Sequence, residues 1–540
     1  VTELASHTPA RQRTTAPGPR PGPRPGRRRP PAAVLLFAPL LAAALSVYEI
    51  SGRSLGFDEG ATFAIASQHG SALSAAIAHD GGNMSGYYLV MHVLVGAFGD
   101  GLLVLRLPSA LATVATVSLI EAIGERLWDR RTGVVAGTLA AVSLPLVYWA
   151  QTARGYAAMA ALVCAGCLAF IALADETVPS HRLAWIAYVG AMTLAMYSSF
   201  VAVLIVPAQL LVLVRRRGVL RRYATALTAV ALCCLPLVIL AVRRGSGQLF
   251  WVSRPNRMVD TQVLDSLTSA GLQPSFHHTA TTYLLLWATM ASLAVLALDV
   301  VRRQRRGDRV WGRALALSWC AVPAALTFAY SLVAQPIFVP RNLLMSTPAV
   351  GLALAPAIAD RRLPRWLAAA ALVAVVGLRA EQVVAAYGVS PEPWHEVTAD
   401  VLARSRPGDC IAFYPEDGRM AFQYYGGTGA AAVGRAPRPI LPSLRWGTVR
   451  PYVEDYATLA GSQLRRAVAG CRRLWFVSSH EGQRDGPAQS RINRARYLRL
   501  DAELERLLGA APIRTFGYAG AIHVQLLPGS SDRVSPLAGG

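Results

Sequence analysis

AVLLFAPLLAAALSVYEISGRSLGFDEGATF, Ala33 to Phe63, opens with an apolar run from 33 to 49 and closes on two adjacent acids, Asp58 and Glu59. A run of this length is enough to enter a bilayer as a helix, which takes roughly 17 to 25 apolar residues. Ionisable residues beside lipid are costly, so a carboxylate pair at the mouth of a span marks an ion path, a metal site or an acid/base centre. The alternative is a cap on a short interfacial helix, since acids favour a helix N-terminus, and for one acid alone that is the better reading.

Composition extends the membrane reading to the whole chain. Of 540 residues, 53% are hydrophobic and only 16% charged, against roughly 25% charged in soluble proteins. This is an integral membrane protein. The net charge of +22 would suit a nucleic-acid partner if the positive residues formed a patch. They fall instead between the apolar runs, and all 53 are arginine. That pattern reads as coding bias, and no nucleic acid is implied.

Length and apolarity predict about eleven transmembrane helices, near 33–49, 102–122, 133–148, 156–174, 183–197, 199–214, 221–241, 283–301, 311–331, 342–358 and 365–385. Only "MYSSF", Met196 to Phe200, separates the two runs within 183–214, and one tilted helix there would invert everything after it. Arginine-rich short loops stay cytoplasmic. Under the eleven-span count the segments "ERLWDRRTG", "RRRGVLRR", "VRRQRRGDR" and "ADRRLPR" share one side with the N-terminal tail. The opposite, extracytoplasmic side then carries Asp58, Glu59, the segment from Asp80 to Asp100, "YWAQTARGY", the loop near 242–282, "QPIFVPRN" and everything after 386. The expected organisation is a disordered basic cytoplasmic tail over 1–32, a transmembrane domain over 33–388 and an extracytoplasmic α/β domain over 389–540. The protein is placed in the cell (plasma) membrane, multi-pass, with an uncleaved first span, because no convincing small-residue cleavage site precedes "SVYEISGRS".

The last 150 or so residues turn polar. "PWHEVTADVLARSRPGD", "LAGSQLRRAVAG" and "RARYLRLDAELERLL" read as helices, and "CIAFYP", "RRLWFVSS", "PIRTFGYAG" and "AIHVQLL" as strands. Cys410 and Cys471 each stand near a strand start after a helix and a turn. Helix, turn, strand, repeated, suggests neighbouring parallel strands about 4.8 Å apart. Disulfides accept Cα separations of roughly 4.4 to 6.8 Å, so a bridge is feasible. The other reading is two buried free thiols on strands that are not neighbours.

The polar residues of the outer side are Asp58, Glu59, Asp80, Arg106, Gln151, Arg154, Arg243, Arg244, Trp251 and Arg341. A lipid-linked phosphate leaving at the membrane surface gathers negative charge, which the arginine fork matches. An acceptor hydroxyl needs a base for its proton. Carboxylate and arginine at one interface therefore suit a lipid-phosphate sugar donor. Taken singly, Arg106 reads as an arginine snorkelling at a span end, and Tyr148, Trp149, Tyr156 and Trp251 as interfacial belt aromatics. His69, His79 and His92 show no metal-ligand spacing, and Cys164 and Cys167 read as buried helix thiols.

Four blocks in order, "SLGFDE", "GYYLVMHVLVGAFGDGLLVLRLPSALATVATVSLI", "YWAQTARGYA" and "PRNLLMSTPAVGLALA", resemble the polytopic GT-C glycosyltransferases of the protein O-mannosyltransferase and aminoarabinose-transferase type. The resemblance spans roughly 33–358. It implies a polyprenyl-phosphate-linked sugar donor, with Asp58 as base facing the acceptor. Glu59 and Asp80 would be supporting acids that position the acceptor or a divalent metal. Arg154 and Arg341 would hold the donor phosphate, with Arg244 as a third candidate, and Tyr87, Tyr88, Gln151, Tyr156 and Trp251 would position substrate. No cofactor is certain, and the expected partners are the donor, membrane lipid and an acceptor that is protein, lipid or polysaccharide. The chain departs from the family pattern at 83–86, where relatives carry an "HPPLYY"-like stretch, and at Arg341-Asn342, where they carry "RY". Two other functions compete. A transporter or flippase of lipid-linked sugars would show mid-span charges and an internal repeat, and a non-catalytic envelope scaffold would leave the acid pair without purpose.

Overall fold

The computed structural model describes residues 32–529 except 178–179, 215, 246–248, 250, 270–279, 307–309, 361, 363, 388–389, 428–435, 450–451, 453–455 and 519. The N-terminal arm and much of the loop near 242–282 lie outside the described residues. All eleven apolar runs are helical. The first forms α1 (Ala32–Val47), and three short helices follow on the way to the second run: α2 (Phe57–Ala66), α3 (Ser71–His79) and α4 (Ser85–Phe98). Then come α5 (Leu102–Leu127), α6 (Arg130–Ala141), α7 (Leu144–Ala150), α8 (Tyr156–Ala174), α9 (Arg182–Ser198), a 3-10 turn (Phe200–Leu204) and α10 (Ile205–Leu213). The bundle continues with α11 (Arg217–Cys233), α12 (Leu235–Arg244), α13 (Arg257–Thr268), α14 (Ala280–Arg305), α15 (Trp311–Val333), α16 (Thr347–Ile358) and α17 (Arg365–Tyr387).

Among the described residues, α5, α8, α15 and Trp366–Val384 of α17 are each long and apolar enough to cross a bilayer alone. Two bent pairs, α6 with α7 at 61° and α11 with α12 at 54°, qualify only when each pair is taken as one span. Both bends follow the helix-starting prolines Pro145 and Pro236, which have no N–H for the preceding turn. The chain does turn back at "MYSSF". Ser199 is extended, and Tyr188 and Gln209, about equally far from it, meet through a 2.7 Å hydrogen bond.

Three of the arginine-rich turns, near 125–133, 215–222 and 301–311, meet at one end of the bundle. Leu127, at the end of α5, packs on Gly312 of α15; Arg216 donates to the Ala174 carbonyl at the end of α8 and covers the Trp311 ring at 5.5 Å. The other end of α8, at Tyr156, lies beside Asp58. At 1.5 Å per residue the 19 residues of α8 span about 28 Å, close to the thickness of a hydrocarbon core.

Beyond α17 the chain forms an α/β unit: α18 (Trp394–Arg404), β1 (Cys410–Tyr414), α19 (Gly418–Phe422), β2 (Arg438–Leu441), α20 (Gly461–Val468), β3 (Arg473–Ser478), α21 (Ala488–Leu508), β4 (Ile513–Phe516) and β5 (Ile522–Pro528). The sheet order is β2-β1-β3-β5-β4. β1, β2 and β3 are parallel, while β5 runs antiparallel to both β3 and β4. β2 is the strand without a sequence signal: it has four residues, one of them Pro439, which is tolerated because β2 is an edge. β1 and β3 are neighbours, and Cys410 and Cys471 are bridged with Cα atoms 5.4 Å apart. The reading as two free thiols is thereby excluded.

The bridge closes a sequence separation of 61 residues. Loop-closure entropy at that length gives roughly 4 kcal/mol of stabilisation. A Cys410→Ala/Cys471→Ala chain is expected to lose much of this in the α/β unit, read as faster limited proteolysis after Arg404 and a lower melting temperature. An unchanged melt would show that the unfolded chain is already constrained there.

Candidate functional site

Asp58 owes its position to its neighbours. Gly56 is extended, α2 begins at Phe57, and the Glu59 carboxylate reaches back to accept from the Gly56 N–H at 3.2 Å, the pattern that ends a helix cleanly. Glu59 is buried, and Arg106 of α5 grips it through both oxygens, Nε to Oε1 at 2.9 Å and Nη2 to Oε2 at 2.8 Å. The Ala153 N–H donates to Oε1 at 2.8 Å. Burial opposes the charge of Glu59, but Arg106 and these hydrogen bonds outweigh it and lower its pKa. The expectation that Arg106 snorkels is overturned. It is 1% exposed and points inward, because the remaining donors of its guanidinium are met by the carbonyls of Ile50, Arg53 and Ser54. Leaving this array for the interface would strand a buried carboxylate.

With Glu59 occupied, Asp58 is the acid of the pair that faces open space. Its side chain is 44% exposed, into a cavity of about 650 Å³ between the bundle and the α/β unit. Arg341, in the 3-10 turn Pro340–Ser346 before α16, places Nη1 2.9 Å from Asp58 Oδ2. Its guanidinium lies 4.2 Å from the Trp251 ring centre and 6.0 Å from that of Tyr156, geometry that holds a cation flat. Arg154 donates to the Asp58 backbone carbonyl at 3.4 Å and to the Tyr88 hydroxyl at 3.2 Å, and that hydroxyl donates to Asp80 Oδ2 at 3.1 Å. Gly155 makes this possible, since a Cβ there would stand 2.5 Å from the Ser198 carbonyl. Burial works against the charge of Asp58, yet Arg154, then Arg341 and His480, hold its carboxyl below the usual carboxylate range.

Asp58, Arg154, Arg341, Tyr88, Asp80, Tyr156 and Trp251 thus form one connected cluster, and Asp58, Arg341 and Trp251 line the cavity itself. Three further candidates do not line the cavity. Arg244, at the end of α12, packs its stem over Gly81, away from the cavity wall. Gln151 is buried, its amide donating to the Tyr48 carbonyl at 2.7 Å, and so ties α7 to the end of α1. The Tyr87 hydroxyl shares a 3.1 Å hydrogen bond with Ser109 in the core. Among the described residues no group of three or more His, Cys, Asp or Glu is placed to hold a metal ion. The three candidate acids instead take arginine or tyrosine partners, so no step is routed through a metal.

The α/β unit supplies the opposite wall of the cavity: Glu392, His480, Glu481, Gln483, Ser490 and His523. His480 to Gln483 follow β3, at the carboxyl end of a parallel strand, where ligands gather in α/β sheets. That rule, applied to "RRLWFVSSHEG", is the signal that would have found them. The unit clasps the start of α2 directly. Glu392 accepts from the Phe57 N–H at 2.6 Å, Tyr425 OH from the Leu55 N–H at 2.5 Å and Ser390 Oγ from the Ser54 N–H at 2.7 Å. Arg53, also missed, lines the bundle wall over the Tyr148 ring at 4.4 Å. A second hollow, between α2 and α19, measures about 10 Å³, room for one water at most.

Residues 84–241 match the sequence model of the dolichyl-phosphate-mannose-protein mannosyltransferases. The match contains the second and third of the four blocks above. The fold as a whole is that of ArnT from Cupriavidus metallidurans, solved with undecaprenyl phosphate bound: TM-score 0.54, 12% identity, covering 94% of this chain and 99% of that one. It also resembles the oligosaccharyltransferase AglB from Archaeoglobus fulgidus, solved with an inhibitory peptide and a dolichol-phosphate, at TM-score 0.51 and 14% identity over 94% of this chain and 75% of that one. No curated protein sequence matches. The chain therefore has the GT-C glycosyltransferase fold, as the four blocks suggested.

Breaking the Glu59–Arg106 pair from one side, by Arg106→Met, strands a buried carboxylate and is expected to cost about 3 to 5 kcal/mol, seen as a large fall in melting temperature; Glu59→Leu/Arg106→Met should recover part of it. His480 offers a milder probe. Burial lowers its pKa, but Glu392 at 3.4 Å outweighs that and raises it above the usual 6.5. Its contribution to stability is present in full below pH 6.5 and is lost as pH rises through the raised value. Melting temperatures from pH 6 to 9 should fall more for the parent chain than for His480→Asn, and parallel curves would remove the ion pair from the account.

Proposed function

We propose that this chain is an integral membrane glycosyltransferase that moves a sugar from a polyprenyl-phosphate-linked donor to an extracytoplasmic hydroxyl acceptor, with Asp58 as the base. The observation that carries it is the Asp58–Arg341 contact of 2.9 Å at the mouth of a cavity large enough for a sugar and part of its acceptor. The fold neighbours were solved with a lipid phosphate, undecaprenyl phosphate for ArnT and dolichol-phosphate for AglB, which supports the same donor class here.

In the resting site the Asp58 carboxylate occupies the fork of Arg341 that a phosphate would take. A donor phosphate fits the same fork, and Trp251 keeps the guanidinium oriented while the exchange occurs. The exchange leaves Asp58 free to face the acceptor. The acceptor oxygen then bonds to the sugar anomeric carbon as the bond from that carbon to the phosphate oxygen breaks. The electron pair leaves with the phosphate, where Arg341 and Arg154 meet the growing charge, and the hydroxyl proton passes to Asp58. A depressed pKa keeps the carboxyl ionised through the neutral range. The arginine-rich turns at the far end of the bundle favour a cytoplasmic location there, which leaves Asp58 outside.

Asp58→Asn keeps shape but accepts no proton, so transfer from a labelled polyprenyl-phosphate sugar should fall about 100-fold or more while binding of undecaprenyl phosphate persists. Arg341→Ala should lose that binding. Transfer at the parent rate in Asp58→Asn would return the acid to a capping role. For topology, Arg484→Cys on the α/β unit should react with an impermeant thiol reagent in intact cells, and labelling only after lysis would reverse the orientation.

A further inference from the structure

The cavity has two chemically different walls. The bundle side presents the arginines Arg53, Arg106 and Arg341 beside the acids Asp58 and Glu59, whereas the lining residues of the α/β unit include Glu392 and Glu481 among imidazoles, an amide and a hydroxyl, and no arginine. Only the first wall offers a phosphate a guanidinium. The second is therefore left for the other substrate, and we propose that it is an acceptor subsite for a neutral, polyhydroxylated molecule, that is, a glycan. This rests on the glycosyltransferase reading above and names its acceptor class.

The charges of this wall are balanced within it. Arg494 donates to Glu481 Oε2 at 2.6 Å, Ser478 Oγ donates to Oε1 at 2.6 Å, and His523 Nε2 stands 3.7 Å from Oε1. Glu392 pairs with His480 at 3.4 Å. A cationic acceptor would meet carboxylates already paired, and an anionic one would meet two of them. Sugar hydroxyls, which donate and accept, match the free lone pairs of paired carboxylates and the mixed donors of His480, Gln483 and Ser490. Aromatic surface completes the fit. Phe57 lies with its ring 4.7 Å from His480 and 6.2 Å, edge-on, from Tyr452, and both Tyr452 and Tyr456 line the cavity. Such faces pack against the C–H face of a sugar ring while the rim takes its hydroxyls. Phe57 directly precedes Asp58, so a glycan on this platform brings a hydroxyl to the base.

The backbone is shaped for the pair that anchors this wall. Gly520 has φ +62°, and a Cβ there would lie 2.8 Å from His480 Nε2 and 2.9 Å from Glu392 Oε1. A peptide acceptor is less well served. Extended peptides dock by main-chain hydrogen bonds along a strand edge, yet neither edge strand, β2 or β4, contributes to the cavity. The wall from the α/β unit comes from loops, the start of β5 and the first turn of α21.

The full-length chain in detergent, loaded with undecaprenyl phosphate, is applied to parallel arrays of oligosaccharides and of Ser/Thr-containing peptides. Retention on oligosaccharides is expected, reduced at least tenfold by His480→Asn or Glu481→Gln, with undecaprenyl phosphate binding unchanged. Gln483→Ala, whose side chain is exposed in the cavity wall, carries the test if the other two misfold, and should weaken retention in the same sense. Retention on peptides alone, on neither array, or on oligosaccharides without sensitivity to these three residues overturns the proposal. Arg341→Ala separates the two readings. It should abolish undecaprenyl phosphate binding and leave oligosaccharide retention intact, so unchanged lipid binding in that variant removes the donor assignment and with it the glycosyltransferase reading, whatever the arrays show.

Discussion

The buried pair of Glu59 and Arg106 sets the geometry on which the site depends. It fastens α2, the first of three short helices between the first two apolar runs, to α5, and through the Ala153 N–H it also registers the turn that carries Arg154. Two consecutive acids in a helix point about 100° apart. Anchoring Glu59 toward the bundle therefore turns Asp58 toward the cavity. One acid is spent on position so that the other is free for chemistry, and this answers why the sequence places two acids side by side.

The α/β unit acts on the same helix from the other side. Backbone N–H groups at Ser54, Leu55 and Phe57 would be orphaned where the chain enters α2, and the unit satisfies all three. Because those partners follow α17 or lie beyond β1, docking of the unit and the shape of the cavity are one event. The disulfide ties β1 to the entry of β3, and β3 leads directly into the His480 wall. Rigidity in the sheet is thus passed to the site through a single short connection.

Much of this was legible in the chain. Bilayer thickness leaves few ways to write a spanning helix, so the eleven apolar runs stood out, and the turn at Ser199 was visible from two short runs meeting at "MYSSF". Asp58, Arg154 and Arg341 could be gathered because each stands outside the apolar runs, and the structure brings the three together. Arg106 was misjudged because an arginine near a span end looks the same whether it turns to the interface or into the protein, and only the position of a partner carboxylate decides. Arg53 was passed over on the same ground. The bends at Pro145 and Pro236 were hidden because apolarity continues through them. His480 and Glu481 were invisible as site residues, being more than 400 positions from Asp58, although their place after a parallel strand was a usable sign.

Under the proposed function, Asp58 and Arg341 also bear on how a base and a donor phosphate would share one site. A carboxylate held below its ordinary pKa is a weak base in the resting protein, which argues against proton transfer while Arg341 is bound to it. The arrival of a phosphate changes both facts together. The guanidinium turns to the phosphate, and the carboxylate loses its closest stabilising contact just as an anionic group enters the same cavity. Loss of a cation and gain of an anion both raise a carboxyl pKa. On this account donor binding itself prepares the base. Under that proposal the resting ion pair would act as a gate, and the acceptor hydroxyl would be deprotonated only when a donor is in place to receive it.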